Sequence, residues 1–273
     1  MLYGMALFSK SFSFNGVVFQ SENENAAFIF RQMLVEQLAL NCRIKVSPSG
    51  RNYSIEIKSP EKCNKIMTYF GHSKGDANLK INFSNFDCAE CYNSFLAGVF
   101  LACGTVSSPE KDYHLEFSVS YLNLSKSLVT LINELELEPK QTNRKGYNII
   151  YFKDSEAIED CLYIMGASSS MFEMMNIKIV KDIRNSANRR ANCETANIEK
   201  TVKAAMPQLE AIIKIKKEKG FDSLSEPLRE MAEMRLENPE LSLSELAEMF
   251  NPPLSRSGAN HRLGRLMKIA KEL

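Results

Sequence analysis

The chain has 273 residues, of which 44% are hydrophobic, enough for one large core or for two domains of about 100–200 residues each. Its 34 Lys and Arg residues nearly balance 33 Asp and Glu residues, so the net charge is +1. These values exclude a disordered chain and a globally basic protein, and any nucleic-acid surface must therefore be local. No apolar run approaches the roughly 20 residues that span a bilayer, so no membrane contact is predicted.

Seven cysteines are spread along the chain. Their odd number, and a start without a basic region and cleavage site, predict reduced thiols in a cytosolic protein. Cys88 and Cys91 form a lone CxxC, but a zinc site needs two more ligands at a suitable spacing. Because His72, His114 and His261 are scattered, neither a metal nor another cofactor is predicted.

Two copies of one pattern of helices and strands occupy the first 170 residues, at an offset of 94 positions. Gly4 maps to Gly98 at this offset, and Tyr53 maps to Tyr147. The first copy is predicted to contain a helix, a hairpin, a helix, a hairpin and a closing helix. Asn15-Gly16 is expected to form a type I′ turn in the first hairpin. These five elements cover residues 2–9, 11–20, 24–41, 43–58 and 60–70.

The second copy follows the same order, with a hairpin turn through Arg144-Lys145-Gly146. Its predicted elements cover residues 94–103, 114–121, 124–135, 140–152 and 154–165. Each copy is therefore read as αββαββα, and one copy alone would leave an apolar sheet face uncovered. The prediction is an α+β fold with a pseudo-two-fold domain at 1–168, whose halves cover about 1–75 and 88–168.

The opening helix of the second copy reads LAGVFLACGT at residues 96–105, which resembles the LAGLIDADG motif of homing endonucleases. Its counterpart in the first copy, at residues 2–11, is fainter. In the nuclease family, Gly and Ala let the two helices approach closely, and an acidic residue near each helix end holds a divalent metal. Ser9 and Cys103 occupy those two former metal positions here. Neither replaces a carboxylate for Mg²⁺, so no catalytic residue is predicted.

Taken alone, this motif also fits a small-residue helix seam in any α/β protein. The repeat and the αββαββα order favour the nuclease-like scaffold. The resulting prediction is the shape of a nuclease without its reactive centre.

Residues 169–220 are predicted to be a helical, basic connector. The stretch from 178 to 220 holds eleven Lys or Arg residues against five Asp or Glu residues, a net charge of +6. Amide and guanidinium groups recur every three or four residues, so they would line one stripe of a helix and suit phosphate oxygens. A solvated helix face or a capped bend is an equally open interpretation. The candidate phosphate contacts are Arg184, Asn185, Asn188, Arg189 and Arg190.

A helix-turn-helix domain is predicted for residues 221–273, with the motif itself at about 242–273. Ser242 and Glu245 have the spacing of a capping box, which opens a short helix. One Asn and two Pro at 251–253 then break the chain before a longer final helix.

Positive charge is concentrated on that final helix. Residues 255–273 contain five Lys or Arg residues and one Glu, a net charge of +4. Residues 221–254 carry a net charge of −6. A recognition helix presents its first turns to the major groove, where Arg suits guanine and Asn suits adenine. The candidate DNA contacts are Arg256, Ser257, Asn260, His261, Arg262, Arg265 and Lys268. The side chains expected to face the core are Ala259, Leu263, Leu266, Ala270 and Leu273. The alternative is a three-helix bundle used for protein contacts.

Four segments closely resemble the WhiA family: RNSANR at 184–189, NCETAN at 192–197, PLSRSGANHRL at 253–263 and KDYHL at 111–115. The similarity extends over nearly the whole chain. It implies a bacterial DNA-binding regulator in which a degenerate LAGLIDADG domain is joined to a helix-turn-helix like the promoter-reading region of sigma factors.

The resemblance also implies a role in sporulation, cell division or chromosome segregation. The implied partner is double-stranded DNA in the bacterial cytoplasm, at the nucleoid. An RNA polymerase sigma factor or another transcription regulator is a further implied partner.

A non-catalytic, sequence-specific DNA-binding regulator is therefore the favoured function. An active homing endonuclease and a protein-interaction scaffold of the division machinery are the alternatives. The chain departs from the family in one respect, because its first LAGLIDADG-like helix begins at residue 2, whereas family members usually carry a preceding segment. That helix is accordingly expected to be poorly anchored.

Overall fold

The computed structural model describes residues 1–76 and 78–273, which form two compact units, Met1–Val180 and Lys181–Leu273. The first unit contains helices and two four-stranded sheets, and the second contains helices. The predicted α+β fold class is thereby confirmed. Among the residues that the structure describes, no helix is both long and apolar enough to cross a membrane.

The first half of the first unit builds an antiparallel sheet with the strand order β1-β2-β4-β3. Val17 and Phe19 alternate with more exposed residues along its central strand and are fully buried, as expected for a sheet with one face on the core. The elements are α1 (Leu2–Leu7), β1 (Ser11–Ser13), β2 (Gly16–Ser21), α2 (Glu24–Leu38), β3 (Lys45–Val46), β4 (Tyr53–Ile57) and α3 (Pro60–Tyr69).

The second half repeats the same topology, with the strand order β5-β6-β8-β7. Leu115, Phe117 and Val119 alternate inward on its central strand. The elements are α4 (Ala89–Cys103), β5 (Gly104–Val106), β6 (Leu115–Val119), α5 (Leu122–Glu134), β7 (Lys140–Arg144), β8 (Tyr147–Phe152) and α6 (Ser155–Ile164). The two identical strand orders confirm the sequence repeat.

The predicted turn of the first hairpin is wrong by one residue. Ser13 pairs with Gly16, so the loop is Phe14-Asn15, and neither Asn15 nor Gly16 has a positive φ. This register places Val17 and Phe12 opposite each other on the buried face. A loop at Asn15-Gly16 would pair Phe12 with Phe19 and keep both on the buried face, so burial does not choose between the two turns. The observed turn is held by Ser13, whose hydroxyl accepts the Asn15 N–H at 3.3 Å and donates to the Gly16 carbonyl at 3.2 Å.

The last hairpin of the second half follows its prediction. Lys145 and Gly146 form its two-residue turn with φ values of 50° and 83°, as a type I′ turn requires. No strand is predicted between the helix at 94–103 and the strand at 114–121, although the αββαββα order requires one. Strand β5 fills this place, where Gly104 and Thr105 pair with Phe117 and Glu116 of β6.

Helices α1 and α4 meet at a seam of glycines. A Cβ added to Gly4 would overlap the carbonyl oxygen of Phe95, and one added to Gly98 would overlap that of Met1. This contact between backbones is the reason for the small residues in the motif.

Helix α1 is firmly held, so the expectation of weak anchoring is wrong. All six of its residues are buried. The Tyr3 hydroxyl lies 3.0 Å from Nε2 of His72 and accepts a hydrogen bond from the Asn82 N–H at 2.7 Å.

The second unit packs three short helices against the last part of a long one. The elements are α7 (Ser168–Glu218), α8 (Glu226–Glu237), α9 (Leu243–Glu248) and α10 (Arg256–Lys271). The 51 residues of α7 form one continuous helix despite an internal Pro207, so the connector has no bend that breaks it. Gly220, with a φ of 71°, follows the end of α7 and donates its N–H to the Ile215 carbonyl, as a glycine just past a helix end does.

Candidate nucleic-acid interface

Helix α10 begins at a capped N-terminus. The Ser255 hydroxyl accepts the N–H of Gly258 at 3.0 Å, so Ser255 caps the helix. Its apolar side builds the core of the second unit, as the periodicity predicts. The fully buried members of that side are Ala259, Leu263, Leu266 and Ala270, while Leu273 is half-buried.

The opposite side of α10 is polar and exposed. Six of the seven candidate DNA contacts lie there or at its margins, and all six are exposed: Arg256, Ser257, Asn260, His261, Arg265 and Lys268. Ser257, His261, Arg265 and Lys268 follow one another at helical spacing and point away from the core. One helix therefore brings together three cations and three neutral hydrogen-bonding side chains, facing solvent.

Arg262, the seventh candidate, is engaged within its own unit. Its Nη1 donates to the Pro227 carbonyl at 3.3 Å and lies 3.8 Å from the Glu230 carboxylate. Its guanidinium lies over the Phe250 ring at 5.6 Å, and only 26% of its side chain is exposed. Arg262 therefore ties α10 to α8 and to Phe250, which follows α9.

Helix α9 is fixed by the predicted capping box. The Ser242 N–H donates to Oε2 of Glu245 at 2.8 Å, and the Glu245 N–H donates to the Ser242 hydroxyl at 3.3 Å. These hydrogen bonds hold the pKa of the Glu245 carboxyl below its usual value. Leu246 and Ala247 are buried against the same core as α10. The arrangement of α9, turn and α10 is that of a helix-turn-helix.

The middle of α7 is exposed to solvent. Every residue from 182 to 200 is exposed, including the five candidate phosphate contacts. Arg184, Asn185, Asn188 and Arg189 share one side of the helix. Arg190 lies roughly opposite to Asn188 at 3.6 residues per turn, and its Nε donates to Glu194 at 3.1 Å.

Two basic residues that organise this unit were not identified from sequence. Lys214 donates to the Ala270 carbonyl at 3.0 Å, at the end of α10, where a cation is favourable. Arg235 is only 1% exposed. The signal for Arg235 was available, since it follows Leu228, Met231 and Ala232 at core-facing spacing on α8.

Ser9 and Cys103, the two residues that the motif aligns with metal-holding positions, lie close to one cavity of the first unit. Ser9 and Cys103 both line an open cavity of about 750 Å³. The Ser9 hydroxyl donates to the Ser11 carbonyl at 2.9 Å. Burial raises the pKa of the Cys103 thiol to about 12, so the sulfur stays protonated and is a poor metal ligand.

The cavity offers little to a catalytic metal. Among its lining residues Glu22 is the one carboxylate, while Lys10 spans to Gln20 with a hydrogen bond of 2.9 Å. Two-metal cleavage of a phosphodiester needs several carboxylates at this position. Within residues 1–76 and 78–273, no group of three His, Cys, Asp or Glu side chains has the arrangement of a metal site.

Both units of the chain match models of known protein families. The WhiA LAGLIDADG-like domain model matches residues 92–184, and the WhiA C-terminal HTH domain model matches residues 187–270. A Probable cell division protein WhiA from Clostridium botulinum is 40% identical over 99% of this chain and 88% of its own length. Its namesake from Clostridium tetani is 42% identical over 94% and 85%.

A full-length DUF199/WhiA crystal structure from Thermatoga maritima has the same fold, with a TM-score of 0.59 and 24% identity. The match covers 100% of this chain and 90% of that one. Together, the two domain models and the near full-length relatives establish that the chain belongs to the WhiA family.

Proposed function

We propose that the chain is a non-catalytic DNA-binding protein that reads specific sequences through α10 and regulates transcription. The observation that carries the proposal is the division of α10 into a fully buried apolar side and an exposed basic side. A helix with this division, second in a helix-turn-helix, fits the major groove of a duplex.

The roles follow from side-chain chemistry. Arg265 suits guanine, Asn260 suits adenine, and Ser257 and His261 provide further hydrogen bonds to base edges, while Arg256 contacts the duplex from the first turn of α10. Lys268 holds a phosphate, and so do the exposed cations and amides of α7. Arg262 acts mainly by fixing α10, because its guanidinium is already engaged by α8.

The residues that line the cavity at Ser9 and Cys103 support a protein without nuclease activity. A half-buried thiol and a hydroxyl stand where nuclease chemistry needs carboxylates. The scaffold then contributes shape without cleavage.

The cellular role is proposed from the relatives, which are named Probable cell division protein WhiA. We assign this chain a role in cell division, chromosome segregation or sporulation, exerted on nucleoid DNA in the bacterial cytoplasm. An RNA polymerase sigma factor or another transcription regulator is the proposed protein partner.

Arg265→Ala is expected to weaken binding to a specific duplex about tenfold, since one lost guanine contact costs about 1–3 kcal/mol. Its stability should be unchanged, because the side chain is exposed and has no role in the core. The affinity would be measured by fluorescence anisotropy, on fragments recovered by chromatin immunoprecipitation.

The matched control is Lys271→Ala, which removes one exposed charge from the far end of α10 and should leave the affinity nearly unchanged. Equal affinities for the wild type and Arg265→Ala would count against base reading by α10.

A further inference from the structure

The second unit contains a basic cavity that lies beside the first turn of α10 rather than on its outward face. Its volume is about 390 Å³, and α7, α8, the start of α9 and the start of α10 line it. Three cationic residues contribute to the lining, Lys200, Arg235 and Arg256, and no acidic residue does.

Arg235 provides a buried charge at this cavity. Its Nε donates to Gln208 at 3.1 Å, and its Nη1 donates to the carbonyls of Asn238 at 3.3 Å and Leu241 at 2.7 Å. All three acceptors are neutral. In the described part of the chain, no carboxylate lies within the 4.0 Å of an ion pair with this guanidinium.

An arginine stays protonated even when it is buried, because its ordinary pKa is so high. Three neutral oxygens satisfy its hydrogen bonds without cancelling its charge. Glu240 is the acidic residue whose charge acts on the Arg235 guanidinium, and it lies beyond ion-pair distance. The cavity therefore keeps a positive potential that a bound anion would neutralise.

The other two cations stand at the mouth of the cavity. Lys200 and Arg256 are exposed, and Ser244 adds an exposed hydroxyl beside them. Arg256 is the first residue of α10, where the helix dipole adds partial positive charge. Two exposed cations beside one buried cation suit a group with several anionic oxygens.

We propose that this cavity binds one phosphate of the DNA backbone, with Lys200 and Arg256 contacting its oxygens. Arg235 is a positioning residue that supplies the fixed charge beneath them. The inference rests on the proposed DNA binding and deepens it, because it makes α7 part of the interface and sets the register of α10. The phosphate of a free ester would offer the same chemistry, and the experiment separates the two sources.

The first arm measures the affinity of the full chain for a non-specific duplex at several salt concentrations. Each phosphate contact contributes about 0.9 to the slope of log affinity against log salt. The double variant Lys200→Gln, Arg256→Gln is expected to have a slope smaller by about one. Lys200→Gln alone should also weaken binding, although it lies outside α10. The control Lys217→Gln, Lys271→Gln removes two exposed charges away from the cavity and should keep the wild-type slope.

The second arm follows thermal unfolding in inorganic phosphate and in chloride of equal ionic strength. Phosphate is expected to raise the unfolding midpoint of the wild type and of the control variant, but not that of the cavity variant.

The outcomes are distinct. An unchanged salt slope in the cavity variant would overturn the phosphate site while leaving duplex binding by α10 intact. A wild type without salt-dependent duplex affinity would overturn the proposed function itself. If phosphate still stabilised that wild type through Lys200 and Arg256, the cavity would belong to a free phosphate, and the assignment to DNA would be wrong.

Discussion

Gly98→Ala is expected to destabilise the first unit by about 3 kcal/mol, the upper part of the range for overpacking. The added Cβ would overlap the Met1 carbonyl oxygen and lie 3.1 Å from the Met5 backbone nitrogen. Both obstacles belong to the backbone of α1, so a change of side-chain rotamer gives no relief. Urea unfolding followed by circular dichroism would measure the loss.

The same substitution at Gly264 is the matched control. Gly264 lies inside α10, and a Cβ added there meets nothing within 4 Å. Gly264→Ala should therefore stabilise the second unit by about 0.5–1 kcal/mol, the ordinary gain for replacing a glycine inside a helix. If Gly98→Ala behaved like Gly264→Ala, the close approach of α1 and α4 would be refuted.

Arg235→Met is expected to destabilise the second unit by about 3 kcal/mol, within the range for removing one partner of a buried polar network. Methionine fills much of the volume but donates no hydrogen bond. The Gln208 side chain and the Asn238 and Leu241 carbonyls would lose the donor that joins α7, α8 and the loop before α9. The free energy of unfolding measures this change.

Arg229→Met is the control on the same helix. Arg229 forms an ion pair with Glu226 at 2.9 Å, with 38% of the Arg229 side chain and 75% of the Glu226 side chain exposed. Its loss should cost at most about 0.5 kcal/mol. An Arg235→Met variant as stable as Arg229→Met would show that the buried guanidinium does not organise the unit.

The features that followed from sequence are those with a local cause. The buried and exposed sides of α10 follow from the spacing of apolar residues within that helix. The capping box joins Ser242 and Glu245, which are only three positions apart. The repeat was visible because two copies of the same strand alternation occur in one chain. The turn at Lys145-Gly146 was predictable from Gly146, since a type I′ turn needs a residue that tolerates positive φ at that position.

The features that did not follow from sequence have distant partners. The partners of Arg235 include Gln208, 27 positions earlier, and Arg262 reaches Pro227, 35 positions earlier. Spacing within a helix identifies which side chains face outward, but it does not identify which of them another helix engages.

The most direct test is to titrate supercoiled plasmid DNA with the full chain in Mg²⁺ or Mn²⁺ and to analyse it on a gel. DNA binding through α10 predicts that the protein slows the migration of the plasmid, and that this retardation becomes smaller as the salt concentration rises. A scaffold without nuclease chemistry predicts that the plasmid is still supercoiled once the protein is removed. Unretarded plasmid at every protein concentration, or metal-dependent nicking abolished by substitution of Cys103, would contradict it.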